Sequence, residues 1–198
     1  MTTFLLIRHA AHDRVGAYLA GRTPGVRLGE AGLAQAERLG ARLRRETISA
    51  LYCSPLERTR QTAEAIAVAT GLPIAGVLDE IAEVEFGIWS GRDFDDLNQD
   101  PEWRIWNMRR SLARTPGGET YSEVQRRAVL AIERLAAEGP DETLALVSHG
   151  DVIRSAVLHY LGMRIDDWWR VEIGPASITR LSIDGRGTRL LGLNEVVD

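Results

Sequence analysis

The chain has 198 residues, 44% of them hydrophobic and 26% charged, with a formal net charge of −4. That length suffices to bury one core, and the slight acidic surplus excludes a general nucleic-acid binder, whose surface carries excess positive charge. All 24 basic residues are arginines, which removes lysine Schiff-base chemistry and the Walker A phosphate loop; one cysteine, Cys53, excludes an internal disulfide framework and a cysteine zinc site.

No apolar run reaches the length of a membrane span, and "FLLI" is too short for the core of a signal peptide, so no membrane association and a cytoplasmic location are expected. Residues 3–8 read as a buried strand ending at Arg8 and His9. "LGEAGLAQAERLGARLRRE" follows as a helix whose buried face is marked by Leu33, Ala36, Leu39, Ala41 and Leu43. "ISALYCS" is a short buried strand that breaks at Ser54. That serine is placed to cap the next helix, with Pro55 at the first helical position and Glu57 where a capping box needs an acid. The helix carries "LERTRQTAEAIAVAT" and stops at Gly71-Leu72-Pro73.

A third strand is expected over residues 74–78, ahead of the acidic segment "DEIAEVEFGIWSG". Residues 92–118 form an irregular insertion with helical pieces near 93–98 and 102–111, closing on "TPGGE". A long amphipathic helix covers 121–138, "TLALVSH" forms a fourth strand, and "DVIRSAVLHYLG" a helix behind it. "SITRLSI" and "RLLGLNE" end the chain as an edge hairpin turning around Asp184-Gly185-Arg186-Gly187.

Strands alternating with helices imply a three-layer α/β sandwich. A mostly parallel central sheet carries helices on both faces, in one domain over residues 1–198, with a small helical insertion at about 92–118. Ligands in such folds bind beyond the C-terminal ends of the strands, at a switch in strand order. Arg8 and His9 end the first strand, Arg58 lies just past the second, Glu83 follows the third, and His149 ends the fourth. Four strand exits thus deliver these five side chains to one edge, which scattered surface polarity does not do. Glu80 and Glu85 lie close enough to Glu83 to compete for its assignment.

These residue types suit a phosphate monoester, which carries close to two negative charges at neutral pH. Arg8 and Arg58 offer planar, permanently charged donors, and each charged hydrogen bond contributes roughly 1.5–3 kcal/mol. The positive ends of the helices after Ser54 and His149 add to them. A neutral His9 would attack phosphorus, dividing one hard hydrolysis into two displacements, while a protonated His149 stabilises the equatorial oxygens. Glu83, kept protonated by burial and neighbouring carboxylates, would supply the leaving oxygen's proton.

"LIRHA", "CSPLERTRQTAEAIA", "EVEFGIWSG", "PGGETYSEVQRRA" and "LVSHGDVIRSAV", in this order, resemble the histidine phosphatase superfamily, also called phosphoglycerate mutase-like. The resemblance implies an α/β sandwich, a phosphohistidine intermediate, and no metal or other cofactor. It makes His9 the nucleophile, Arg8 and Arg58 phosphate ligands, Glu83 the proton donor and His149 the second histidine of the pocket. Three positions depart from the first motif of that family: Ala10, His12 and Val15 replace a glycine, a threonine and an asparagine, and Val15 removes a polar contact. Ser90 replaces the glutamate of a Trp-Glu-Gly block, and Glu85 is available to take over part of its electrostatic role.

Candidate substrate contacts are His12, Arg22, Thr23 and Gly150. Trp89, Trp103 and Trp106, with Phe86 and Phe94, either line an apolar leaving-group pocket or pack the core of a small lid. Trp168 and Trp169 fit either packing or a contact between two copies in a homodimer. Cys53 invites a tyrosine-phosphatase reading, but Arg58 follows one residue too soon for that loop.

The favoured function is a metal-independent phosphatase acting on a small phosphomonoester. A phosphomutase shares the intermediate but needs a longer insertion and further basic residues, which residues 89–118 lack. A metal-dependent hydrolase using "HAAHD" and His149 would lose activity to a chelator. A non-catalytic phospholigand-binding module would form no covalent intermediate.

Overall fold

In the computed structural model, which describes residues 1–196, six strands form one sheet. They are β1 (Thr2–Arg8), β2 (Ala50–Cys53), β3 (Ile74–Val77), β4 (Thr143–Ser148), β5 (Ile178–Asp184) and β6 (Gly187–Glu195), ordered β3-β2-β4-β1-β5-β6. Pairings among β1 to β4 are parallel, whereas β5 runs antiparallel to both β1 and β6. The sheet is therefore mixed, with β5 the one reversed strand, as an edge hairpin requires.

Side chains alternate along a strand, so each buried strand feeds two cores. Phe4 and Leu6 of β1, with Leu144 and Leu146 of β4, pack against α5 (Tyr121–Glu138) and α6 (Gly150–Tyr160). Leu5, Ile7, Ala145 and Val147 face the opposite way, onto α1 (Glu30–Leu43) and α2 (Glu57–Thr70). Burial on both faces explains why these strands read as continuous apolar runs rather than as alternating ones. Leu39 of α1 is wholly buried, and truncating it to Ala should cost about 2–5 kcal/mol.

Two local expectations fail. The buried face of α1 is made by Gly32, Ala36, Leu39, Gly40 and Leu43, while Leu33 and Ala41 are exposed. Small residues decide this face: a Cβ on Gly40 would lie 2.8 Å from Ala69 Cβ and 2.9 Å from the Ala65 carbonyl of α2. Hydrophobicity alone points to the wrong stripe when helices cross this closely. Ser54 is not the cap of α2, whose N-cap is Leu56 with no side-chain bond. Glu57 instead accepts from the Gly25 N–H at 2.9 Å, and the Ser54 hydroxyl is used elsewhere.

The insertion holds α3 (Phe94–Leu97) and α4 (Pro101–Met108), the latter ending three residues before the expected stop at 111. Trp89, Trp103 and Trp106 are buried there, meeting Phe86 and one another edge-on. They pack the core of the insertion. Arg110, just past α4, stands 3.7 Å from the Trp168 ring centroid and donates to Asp151 at 2.8 Å. That contact assigns Trp168 to packing, whereas Trp169 is 70% exposed. Among the described residues no helix is long and apolar enough to cross a membrane.

The central strands β1 and β4 are neighbours whose following helices, α1 and α6, leave toward opposite faces. This is the switch point at which an open α/β sheet exposes a crevice. Register sharpens it: Arg8 pairs with Ser148, so His9 and His149 leave adjacent strands side by side.

Candidate active site

His9 and His149 are buried, with ring centroids 5.2 Å apart. The Nδ1 of His9 lies 2.8 Å from the Ala10 carbonyl. A carbonyl only accepts, so Nδ1 carries the proton and Nε2 presents a lone pair. That lone pair receives the Nε–H of Arg58 at 3.2 Å. Burial, then Arg58 and Arg8, hold the His9 pKa well below the ordinary histidine value, so the ring is neutral at neutral pH.

Arg58 is 1% exposed and organises the site. Its Nη2 donates to the Gly21 carbonyl at 2.7 Å and to His149 Nδ1 at 3.2 Å. A guanidinium only donates, so His149 accepts at Nδ1 and carries its proton at Nε2, which donates to the Ser54 hydroxyl at 2.7 Å. Here is the role of the serine expected to cap α2: it fixes the tautomer of His149. Burial, then Arg58 and His9, push the His149 pKa well below its usual value. Without phosphate the cations packed around this buried ring disfavour its charge, so the expected protonated His149 belongs to the phosphate-bound site.

The Oε2 of Glu83 stands 3.8 Å from His149 Nδ1 and 4.0 Å from Arg58 Nη2. Its Oε1 accepts from the Val84 N–H at 3.0 Å. Burial and the charge of Asp151 raise its pKa against the pull of Arg58. The chain around Glu83 is clamped from behind. Its carbonyl accepts from Arg22 Nε at 2.7 Å and Arg127 Nη2 at 3.1 Å. Glu119 joins the two arginines, with Oε2 3.1 Å from Arg22 Nη2 and 3.0 Å from Arg127 Nη2. Gly118, beside it, leaves no room for a side chain, since a Cβ would stand 1.9 Å from the Glu85 carbonyl.

These groups open on a cavity of about 270 Å³. Arg8, His9, Arg58 and Glu83 line it, and His149, in contact with Arg58 and His9, lies behind them. Arg8 donates through Nη1 to the Ile173 carbonyl at 2.7 Å. Its Nε and the Nη1 of Arg58 are buried without a hydrogen-bond partner among the described residues. Buried cationic donors with unused N–H groups suit a tetrahedral oxyanion, which can satisfy several at once.

The five strand-end residues thus converge. Of the four candidate substrate contacts, His12 and Gly150 line the cavity, whereas Arg22 and Thr23 do not. Arg22 is spent on Glu83 and Glu119, and Thr23 closes a turn onto the Ala20 carbonyl. Val15 lines the mouth and is 38% exposed. Ser90 packs against Gly21, its hydroxyl without a hydrogen-bond partner among the described residues, and Glu85 faces Arg22 at 3.8 Å. Cys53 is buried at a strand end, where desolvation raises its thiol pKa.

Sequence reasoning missed Ser54 in this role, the Gly21 carbonyl, Tyr18, Asp151 and Arg154. Only the last two left a signal: their three-residue spacing directly after His149 places both on one face of α6, beside the site. Burial raises the Asp151 pKa, but Arg110 and Arg154 outweigh it and hold the group at about 2.

The sequence matches the family model of the histidine phosphatase superfamily (branch 1) over residues 4–196. Phosphoserine phosphatase 1 of Hydrogenobacter thermophilus is 31% identical over 198 residues, spanning 98% of this chain and 92% of that one. The adenosylcobalamin/alpha-ribazole phosphatase of Salmonella typhimurium is 32% identical over 174 residues, 85% of each chain. Among solved structures, Bacillus stearothermophilus YhfR superposes with a TM-score of 0.92 at 26% identity, covering 99% of this chain and 98% of that one.

Proposed function

The chain belongs to the histidine phosphatase superfamily and is a phosphomonoester hydrolase, and from that premise we propose a two-step reaction through a phosphohistidine on His9. The observation that carries the reading is the tautomer of His9. With Nδ1–H bound to the Ala10 carbonyl, the ring's lone pair is at Nε2, where it accepts from Arg58 until the incoming phosphate oxygens take that donor.

In the first step Nε2 attacks phosphorus, the bond to the ester oxygen breaks, and Glu83 passes its proton to that oxygen. Arg8 and Arg58 hold the phosphoryl oxygens, and the incoming negative charge raises the pKa of His149 toward the charged form. In the second step water attacks the phosphoryl group, the Glu83 carboxylate accepts its proton, the P–N bond breaks, and phosphate leaves. Burial shifts Glu83 toward a proton donor and His9 toward a free base, the directions these steps need. The reaction requires no metal.

Partitioning tests this. Esters with different leaving groups, hydrolysed in buffered methanol–water, would all pass through one phosphoenzyme. The ratio of methyl phosphate to inorganic phosphate should then be the same for every ester. A ratio that varies with the leaving group contradicts a common intermediate. Activity that a chelator abolishes and added metal restores contradicts the metal-free reading.

A further inference from the structure

The cavity is chemically lopsided. Its lining divides into charged groups, Arg8, Arg58 and Arg154 with Glu83 and Asp151, and a second set, His12, Val15, Tyr18, Leu19, Phe86 and Phe94. None of these six supplies a positive charge at neutral pH: burial, then Arg58 and Arg8, hold the His12 pKa at about 4. The remaining arginine on the cavity, Arg154, is ion-paired with Asp151 and donates through Nε to the Val171 carbonyl at 2.8 Å. Arg14, outside, lies over the Tyr18 ring at 4.6 Å and pairs with Asp93.

The wall is also held in shape. The His12 and Tyr18 rings meet edge-on at 5.5 Å. Tyr18 bridges to Asp93, and the Phe94 N–H donates to the Ala17 carbonyl at 3.1 Å. The insertion thereby fixes the 12–18 loop, so the aromatic faces stand preformed.

We infer that the group esterified to the phosphate is uncharged and apolar or aromatic, and that a second anion on it is selected against. This rests on the phosphatase reading above. The phosphate uses the free cationic donors of the charged set. A carboxylate on the leaving group would then lie against Tyr18, Phe86 and Phe94, giving up solvation with no counter-ion. A planar or aliphatic group there gains apolar burial and ring contacts instead.

The test compares kcat/KM for phenyl phosphate, 1-naphthyl phosphate and 4-carboxyphenyl phosphate. The first and third share a ring and differ by one carboxylate, and the second enlarges the apolar face. We expect 4-carboxyphenyl phosphate to fall tenfold or more below phenyl phosphate, through KM, with 1-naphthyl phosphate at least equal to it. Phe94→Ala should raise KM for the naphthyl ester more than for the phenyl ester. Val15→Arg, which places a cation at the mouth, should narrow the carboxylate gap at least threefold. A carboxylate penalty below tenfold, or a naphthyl ester disfavoured against phenyl, overturns the inference. So does a Phe94→Ala variant that affects both esters alike, or a carboxylate gap unmoved by Val15→Arg. If none of the three esters releases phosphate, the phosphatase reading itself falls, and this inference with it.

Discussion

In the histidine–arginine cluster at the cavity His9, Arg58 and His149 are 3%, 1% and 0% exposed, and every ring nitrogen has a partner. At the other end Val15 is 38% exposed, and His12 and Tyr18 meet edge-on. The cluster is carried by the tips of β1 and β4 and by the start of α2, rigid elements set by sheet register. The other end is carried by a loop that borrows its shape from the insertion. On the proposed mechanism and leaving-group preference, reaction type and leaving-group choice reside in different parts of the fold. Changes at the first should cost orders of magnitude for every ester. Changes at the second should be small and depend on the leaving group.

The largest effect should come from His9→Ala, which removes the proposed nucleophile. Turnover should fall by roughly 10⁴-fold or more for all esters, as for other nucleophile deletions; steady-state assays over several leaving groups check this. Glu83→Gln comes next. For alkyl phosphates, whose leaving group needs a proton, kcat should drop roughly 10²- to 10⁴-fold, and for a 4-nitrophenyl ester much less. The sign of the pH dependence follows from its raised pKa. Glu83 is a competent acid below that pKa, so activity on alkyl esters declines as pH rises through it. The variant should lose this alkaline limb, and an unchanged pH–rate profile would remove Glu83 from the role.

Glu119→Gln sharpens the comparison from behind the site. Glu119 touches no part of the cavity, yet it ties together the two arginines that hold the Glu83 carbonyl. Loosening that clamp should lower kcat on alkyl esters by about tenfold, since misplacement by an ångström is costly. KM, and kcat on the 4-nitrophenyl ester, should change little. Equal losses on both esters would mark Glu119 as merely structural. His12→Thr should have the smallest effect, a few-fold change in KM restricted to aromatic esters, because one ring contact is worth about 0.5–1.5 kcal/mol.

Much of the cluster was legible in the sequence, because strand termini in an α/β pattern can be located from apolar runs and their breaks. Arg8, His9, Arg58, Glu83 and His149 came from that rule, and β1 to β4 lie where it put them. What could not be read is what depends on approach between distant segments. Ser54 looks like a helix cap until the pairing of Cys53 with Val147 brings it beside His149. The buried stripe of α1 is misjudged because Gly40 against Ala65 and Ala69 fixes the crossing. Arg22, read as a substrate contact, turns inward because Glu83 and Glu119 meet it from two later segments. The charge of His149 depends on cations from α2 and β1 that chain order does not place in space.

The direct test of the central claim is to locate the phosphoryl group on the protein. Enzyme mixed with excess ester, quenched at alkaline pH within one turnover and digested, should yield a single phosphorylated peptide. The added phosphoryl group should map to the His9 ring, be lost on acid treatment, and be missing in His9→Ala. An unmodified His9 peptide during active turnover, or a phosphoryl group found on His149 or His12 instead, would contradict the account.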